Sequence, residues 1–166
     1  MNNINSPIAS LARNLFDGEF SVNMQYAKSL GWVTCPIEMI SLMDKALSGR
    51  ICNTFGNTGG VSYVSVIEYK IKSLDKIMKI PCDGDSLYSW SVHSLWSNWL
   101  IVSGDLDAAI LCTGDNFNVV TGLIGKVEKL LGMPFEEAKS AFVKFYKQHA
   151  GTVDEAILKE QIDRYF

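Results

Sequence analysis

The run Ala108-Ala109-Ile110-Leu111-Cys112 constrains the fold of this chain more than any other segment. Successive side chains of a β-strand point to opposite faces of the sheet, so a strand that is apolar at every position must be buried on both faces. We therefore predict a strand from Asp107 to Cys112 that is central in its sheet and is covered by helices on at least one face.

Two further strands are predicted beside it, at Asn98 to Val102 and at Phe117 to Thr121. Short turns that contain Gly and Asp separate these strands, and such short connections require antiparallel neighbours. Upstream, β-branched and aromatic residues predict a long strand from Val61 to Lys70, and Ile77 to Ile80 is expected to return beside it.

Helices are predicted in the amino-terminal part of the chain. Ser6-Pro7 is typical of a helix start, with serine as the cap and proline at the first helical position. A second helix is predicted from Val22 to Leu30, before Gly31. A third is predicted from Pro36 to Gly49, with its inward side chains at Ile37, Ile40, Met43 and Leu47.

Two helices are also predicted at the carboxyl end. Apolar residues at helical spacing follow Pro134, and Thr152-Val153-Asp154-Glu155 has the pattern of a capping box that begins a final helix. The predicted fold class is α+β. It is a single domain over residues 1–166, in which amino-terminal and carboxyl-terminal helices pack on an antiparallel or mixed central sheet.

Composition and charge exclude several classes of function. With 48% hydrophobic and 20% charged residues among 166, the chain is typical of a globular protein. Its net charge of −3 divides into +2 over residues 1–80 and −5 over residues 81–166. The acidic carboxyl half argues against nonspecific nucleic-acid binding, which requires a basic surface that neutralises phosphates.

The four cysteines give no indication of a metal site. Cys35, Cys52, Cys82 and Cys112 lack Cys-x-x-Cys spacing, and the two histidines stand apart from each other. We therefore predict no metal and no cofactor. The amino terminus lacks the pattern of a secretion signal and no segment reaches membrane-spanning length, so we expect a reduced, cytoplasmic protein that does not contact a membrane.

Catalytic and phosphate-binding patterns are weak. The glycine-rich segment Asn53–Gly60 resembles a phosphate cradle but lacks the Gly-Lys-Ser/Thr ending, which favours a mobile or partner-contacting loop. Asp83, Asp85 and His93 match no calcium loop, although carboxylates and imidazole suit divalent ions. Asp105 and Asp107 would form a carboxylate pair if they lay on a strand. No acid, base and nucleophile set emerges, so we predict a protein that is not an enzyme.

An acidic and aromatic stretch carries the stronger signal. Pro81 to Gly125 contains no Lys or Arg but contains five aspartates and three of the four tryptophans. Aspartates attract cations, and tryptophans supply large, rigid contact areas in interfaces. We predict a surface that binds a cationic partner, formed by Asp83, Asp85, Trp90, Trp96, Trp99, Asp105, Asp107 and Asp115.

The carboxyl half resembles a known group of proteins over about 70 residues. The segments Trp99-Leu100-Ile101-Val102, Asp107-Ala108-Ala109-Ile110 and Asp115-Asn116-Phe117-Asn118-Val119-Val120, then Gly122 and two amphipathic helices, are similar to bacterial immunity proteins. Those proteins partner the toxins of contact-dependent growth inhibition and related polymorphic toxin systems.

The resemblance implies a cytoplasmic, non-catalytic protein that binds and blocks one cognate toxin domain, such as a nuclease with a basic surface. It also implies that a toxin hairpin can add to a free strand edge, for which Val61 to Lys70 or Phe117 to Thr121 are candidates. The alternatives are a regulatory or phage-encoded protein-interaction module and, third, a small metal-dependent hydrolase.

Overall fold

The computed structural model describes residues 6–16, 21–38, 45–55, 63–70, 73–93, 98–113, 117–152 and 154–166. In these residues the elements, in chain order, are α1 (Pro7–Leu15), α2 (Met24–Ser29), β1 (Val33–Glu38), α3 (Lys45–Phe55), β2 (Tyr63–Lys70), β3 (Ser73–Pro81), α4 (Gly84–His93), β4 (Asn98–Val102), β5 (Ala108–Cys112), β6 (Phe117–Gly122), α5 (Ile124–Leu131), α6 (Phe135–Gln148) and α7 (Glu155–Tyr165).

The described strands form one sheet in the order β1-β6-β5-β4-β2-β3, and every neighbouring pair is antiparallel. In the middle of the sheet, Ile110 of β5 lies opposite Ile101 of β4 and Val120 of β6. The antiparallel arrangement of β4, β5 and β6 that the sequence predicted is therefore confirmed, and so is the pairing of β2 with β3.

Helices cover both faces of β5, all five residues of which are buried. Ile110 and Cys112 belong to a core that includes residues of α3 and α5. Ala109 and Leu111 belong to a second core, on the opposite face, that includes residues of α1 and α6. Full burial of one such side chain contributes about 1.5–3 kcal/mol, so the two cores hold the helices against the sheet. The predicted α+β fold, a single domain, is confirmed.

Two helix predictions at the ends of the domain are confirmed. The backbone N–H of Ala9 donates to the Ser6 side chain at 3.2 Å, and Pro7 follows as the first residue of α1. Pro134 precedes α6, whose inward side chains Ala138, Phe142 and Phe145 are buried. In both cases the capping residue and the apolar spacing are local in the sequence, which is why the pattern was sufficient.

The predicted helix from Pro36 to Gly49 is wrong. Residues Val33–Glu38 form β1, and Gly49 lies within α3 rather than at its end; the predicted positions Ile40 and Met43 lie outside the described residues. A proline without an N–H is compatible with an edge strand, and Pro36 lies in β1, which pairs with β6 alone among the described strands. Further along the chain, Gly84 is the first residue of α4.

The strands proposed as free edges lie inside the sheet. β2 pairs with both β3 and β4, and β6 pairs with both β1 and β5. Neither has an unpaired edge for a partner strand, which corrects the expectation for Val61 to Lys70 and Phe117 to Thr121. Among the described strands, β1 and β3 are at the edges, and α6 and α7 pack beside β1.

The predicted capping box at the start of the last helix is also wrong in its details. α7 begins at Glu155, and the Glu155 carboxylate accepts from the backbone N–H of Gly151 at 2.6 Å. The Thr152 hydroxyl accepts from the N–H of Asp154 at 3.3 Å and donates to His149. Thr152 therefore stabilises the turn between α6 and α7 instead of capping α7.

Gly122 is the position at which the backbone requires glycine. It has a φ of +155°, and a Cβ there would lie 2.6 Å from the Cβ of Ala108 and 2.7 Å from the carbonyl oxygen of Asp107. The next residue, Leu123, donates its N–H to that same carbonyl at 2.9 Å. The start of β5 and the end of β6 are therefore too close for a side chain at this point.

We expect Gly122→Ala to lower the free energy of unfolding by about 2–5 kcal/mol, because backbone strain and overpacking add together. Gly125→Ala is the control, since a Cβ at this exposed helical position meets no atom within 4 Å. It should raise stability by about 0.5–1 kcal/mol. Urea unfolding of both variants measures the difference, and equal stabilities would contradict this account of the β5–β6 contact.

Candidate partner-binding surface

Asp83 lies immediately before α4 and caps its amino-terminal end. The Asp83 carboxylate accepts from the backbone N–H of Ser86 at 2.7 Å, and its carbonyl accepts from Leu87 at 3.1 Å. These bonds are those of a helix N-cap. Hydrogen bonds from the Ser86 side chain and backbone lower the pKa of Asp83. This aspartate was predicted to bind a partner, and the structure shows that it caps its own helix.

The inner face of α4 is held by a pair of tryptophans. Leu87 and Ser91 are fully buried, and the half-buried Trp90 packs edge to face on Trp99 of β4, with ring centroids 4.5 Å apart at 85°. Trp99 is 1% exposed and therefore belongs to the core, not to a surface that a partner reaches. Such aromatic pairs add about 0.5–1.5 kcal/mol beyond area burial, so they anchor α4 to the sheet.

The outer face of α4 presents Asp85, Tyr88 and Val92, a set called the α4 face below. These residues follow one another at helical spacings of three and four, which places them on one side of the helix. Tyr88 is 38% and Val92 is 41% exposed. The α4 face thus combines a carboxylate, an aromatic ring and an aliphatic group in the solvent-exposed part of the helix.

Lys45 of α3 already places a cation on the α4 face. Its Nζ lies 3.4 Å from the Asp85 carboxylate and 5.9 Å from the centroid of the Tyr88 ring. The side chains of Lys45 and Asp85 are 74% and 88% exposed. An ion pair this exposed contributes only about 0–1 kcal/mol, so another cation can replace Lys45 at little cost.

Asp105 and Asp107 lie elsewhere, in the turn between β4 and β5, and they share Lys126 of α5. The Lys126 Nζ is 3.2 Å from Asp105 and 3.4 Å from Asp107. Burial alone would lower the pKa of Lys126, but the two carboxylates outweigh this effect and raise it. Ser103 also donates to Asp107 at 2.8 Å. Both aspartates therefore form an ion pair with the same lysine of the chain.

The structure thus separates the predicted binding residues into distinct places. Among the predicted residues that the structure describes, only Asp85 combines high exposure with neighbouring exposed aromatic and apolar groups. Trp96 and Asp115 lie outside the described residues. The predicted set omitted Tyr88, Val92 and Lys45; a helical reading of residues 84–93 would have placed the first two beside Asp85.

Clusters of metal ligands and cysteine thiols are two features that can support chemistry. The described residues contain no group of three or more His, Cys, Asp or Glu side chains that could hold a metal ion. Burial raises the pKa of Cys35 and of Cys52 to about 12, and it raises that of Cys112 well above the usual range. Nucleophilic attack requires a thiolate, and these thiols remain protonated near neutral pH.

Comparison with known proteins gives no further guidance. No protein-family model matches the chain, and searches of curated proteins and of solved structures return no match. Within the part of the chain that the structure describes, no helix has the length and apolar character needed to cross a membrane. The function of this chain is therefore inferred from the geometry of the α4 face.

We expect Asp83→Ala to lower the thermal midpoint, because α4 loses its cap, and Asp83→Asn to lower it less, because asparagine retains the cap and loses only the charge. The folded-state pKa of Asp83 is lowered, so the charge contributes stability above its unfolded pKa of about 4. That contribution is lost as pH falls through the folded pKa. Thermal unfolding at pH 7 and pH 3 measures this effect, and equal midpoints for all three proteins at pH 7 would contradict it.

The cysteines provide a second test. Cys35 and Cys112 are 0% and 3% exposed, and burial also raises the pKa of the two half-buried thiols. At pH 8 we expect Cys35, Cys52 and Cys112 to react with Ellman's reagent on the order of a thousandfold more slowly than free cysteine, because so little thiolate is present, and we expect Cys82 also to react more slowly than free cysteine. Reactivity should rise with pH, and urea should expose all four cysteines. Rapid modification of the native protein at pH 7 would contradict this burial.

Proposed function

We propose that this chain is an immunity protein that binds a cognate toxin domain with a basic surface in the cytoplasm and neutralises it. The observation that carries the proposal is the position of Lys45 between the Asp85 carboxylate and the Tyr88 ring. The same two groups suit a lysine or arginine of a partner, which would take the place of Lys45. The resemblance of the carboxyl half to immunity proteins supports the same function.

The α4 face has the composition of an interface centre. Tyrosine supplies contact area and a cation-binding ring, and the neighbouring carboxylate gives a charge-assisted hydrogen bond to an arginine. Val92 extends the exposed apolar area by one turn of α4. The contact between Trp90 and Trp99 holds α4 against the sheet. Docking of a partner would therefore cost little conformational entropy in this helix.

Docking on α4 is favoured over addition of a partner strand. β3 pairs with β2 alone among the described strands, but its exposed Lys79 is the type of residue that protects an edge against further pairing. A basic edge also opposes a basic partner. The proposed mode is therefore recognition by a helix face, and the protein acts by occupying the toxin's basic surface without catalysis.

The proposal is tested with the protein encoded next to this chain's gene. A carboxyl-terminal domain of a large secreted protein that arrests growth when expressed alone, and is harmless when co-expressed with this chain, would support it. A neighbouring phage or regulatory gene whose product binds without toxicity would instead favour the alternative of a regulatory or phage-encoded interaction module.

For the purified complex we expect two different kinetic effects. Asp85→Asn should slow association at low salt, because exposed charges act mainly on encounter, and the defect should shrink as salt rises. Tyr88→Ala should accelerate dissociation on the order of tenfold, as loss of an aromatic anchor does. Surface plasmon resonance across a salt series measures both rates.

The matched control is Asp105→Asn, which removes one negative charge from a carboxylate that is paired with Lys126. We expect it to leave both rates close to those of the wild type. If Asp85→Asn associates as fast as the wild type at low salt, with a native circular dichroism spectrum, the α4 face is not the site at which the basic partner docks.

A further inference from the structure

A cleft of about 230 Å³ lies between the end of β1, α3, the end of α5 and α6, and the described residues that line it include none of the α4 face. Its walls are apolar, and they are formed by Ile37, Leu131, Met133, Ala138, Ala141 and Phe142. Leu131, Ala138 and Phe142 are buried, whereas Met133 and Ala141 are exposed at the opening. Two charged residues, Arg50 and Glu38, complete the lining.

Arg50 is held in place from one side. Its Nε donates to the carbonyl of Leu130 at 2.8 Å, in the last turn of α5. Gly132 follows in the left-handed conformation, and a Cβ there would lie 3.3 Å from the Arg50 Cδ. The absence of that Cβ allows the arginine to pack closely against the end of the helix. The guanidinium is thereby oriented before any ligand arrives.

No described residue forms an ion pair with either charged residue of the cleft. Neither Arg50 nor Glu38 forms an ion pair with another described residue, and they form none with each other. Arg50 uses only its Nε–H among the described residues, so the Nη groups keep their hydrogen-bonding capacity. Since no described residue supplies a counter-ion, an anion in the cleft would form charge-assisted hydrogen bonds with this half-buried guanidinium.

We infer that this cleft binds an apolar α-amino acid as its zwitterion. Arg50 binds the carboxylate, Glu38 binds the ammonium group at the opening, and the side chain packs against Phe142 and its apolar neighbours. At ~30 Å³ per water molecule the cleft holds the volume of about eight waters, which suits an amino acid the size of leucine. The assignment is independent of the proposed toxin partner, because the α4 face takes no part in it.

Three related compounds test the assignment by nuclear magnetic resonance on the uniformly ¹⁵N-labelled full chain. L-leucine carries both charges, 4-methylpentanoate lacks the ammonium group, and 3-methylbutylamine lacks the carboxylate. We expect leucine to shift the amide signals of Gly132, Met133 and Ala141 in a saturable manner. The pentanoate should bind at least threefold more weakly, and the amine should give no saturable shift.

Two variants separate the cleft from nonspecific binding. Ala141→Phe fills the opening from an exposed helical position and should abolish the shifts without unfolding the protein. Arg50→Gln should weaken leucine binding at least tenfold, the usual effect of removing a charge-assisted hydrogen bond. Lys129→Gln is the control, because it removes an exposed cation from the same last turn of α5, and it should bind as the wild type does.

The inference is overturned if leucine produces no saturable shift, or if the amine binds as well as leucine. Equal affinity for leucine and 4-methylpentanoate would also overturn it, since Glu38 would then take no part. Wild-type binding by Ala141→Phe would place the ligand elsewhere. Arg50→Gln removes the hydrogen bond to the Leu130 carbonyl at the end of α5, and this variant can fail to fold. The result with Ala141→Phe still decides the question in that case.

Discussion

The requirement to bury β5 on both faces organises this molecule. Its side chains are apolar at every position, so a sheet covered on one side would leave half of them in water. The chain meets the requirement with helices from both of its ends and from the middle. α1 and α6 contribute to one core, and α3 and α5 contribute to the other.

The α4 face depends on that layering through Trp99. This side chain belongs to β4, next to β5, and it is buried in the core that also contains Ile110. Trp90 packs on it and turns one side of α4 toward the sheet. The opposite side of the helix then faces solvent. A surface with a carboxylate and an aromatic ring is thereby presented on a rigid support, which is what a tight interface requires.

Sequence patterns were sufficient where the determining residues are neighbours. Strands β4 to β6 alternate with short turns, and α1 and α6 carry their own start signals, so these elements were predicted correctly. Pro36 was misread because a proline that begins a helix and one that lies in an edge strand differ only in their tertiary partners. In the same way, Asp83-Gly84-Asp85 is typical of both a turn and a helix cap, and only the packing of Trp90 on Trp99 decides between them.

The acidic stretch from Pro81 to Gly125 contains more negative charges than its surface offers to a partner, because some of its aspartates are used within the fold. Asp83 caps a helix, and Asp105 and Asp107 share Lys126, the first cation after the stretch ends. Of these described aspartates, Asp85 alone holds its charge beside exposed aromatic and apolar groups, and its own cation is displaceable. The proposed recognition at the α4 face therefore depends on one carboxylate and one ring. Since a single exposed charge is strongly screened at physiological salt, the affinity of such an interface must come mainly from Tyr88 and the apolar contacts around it.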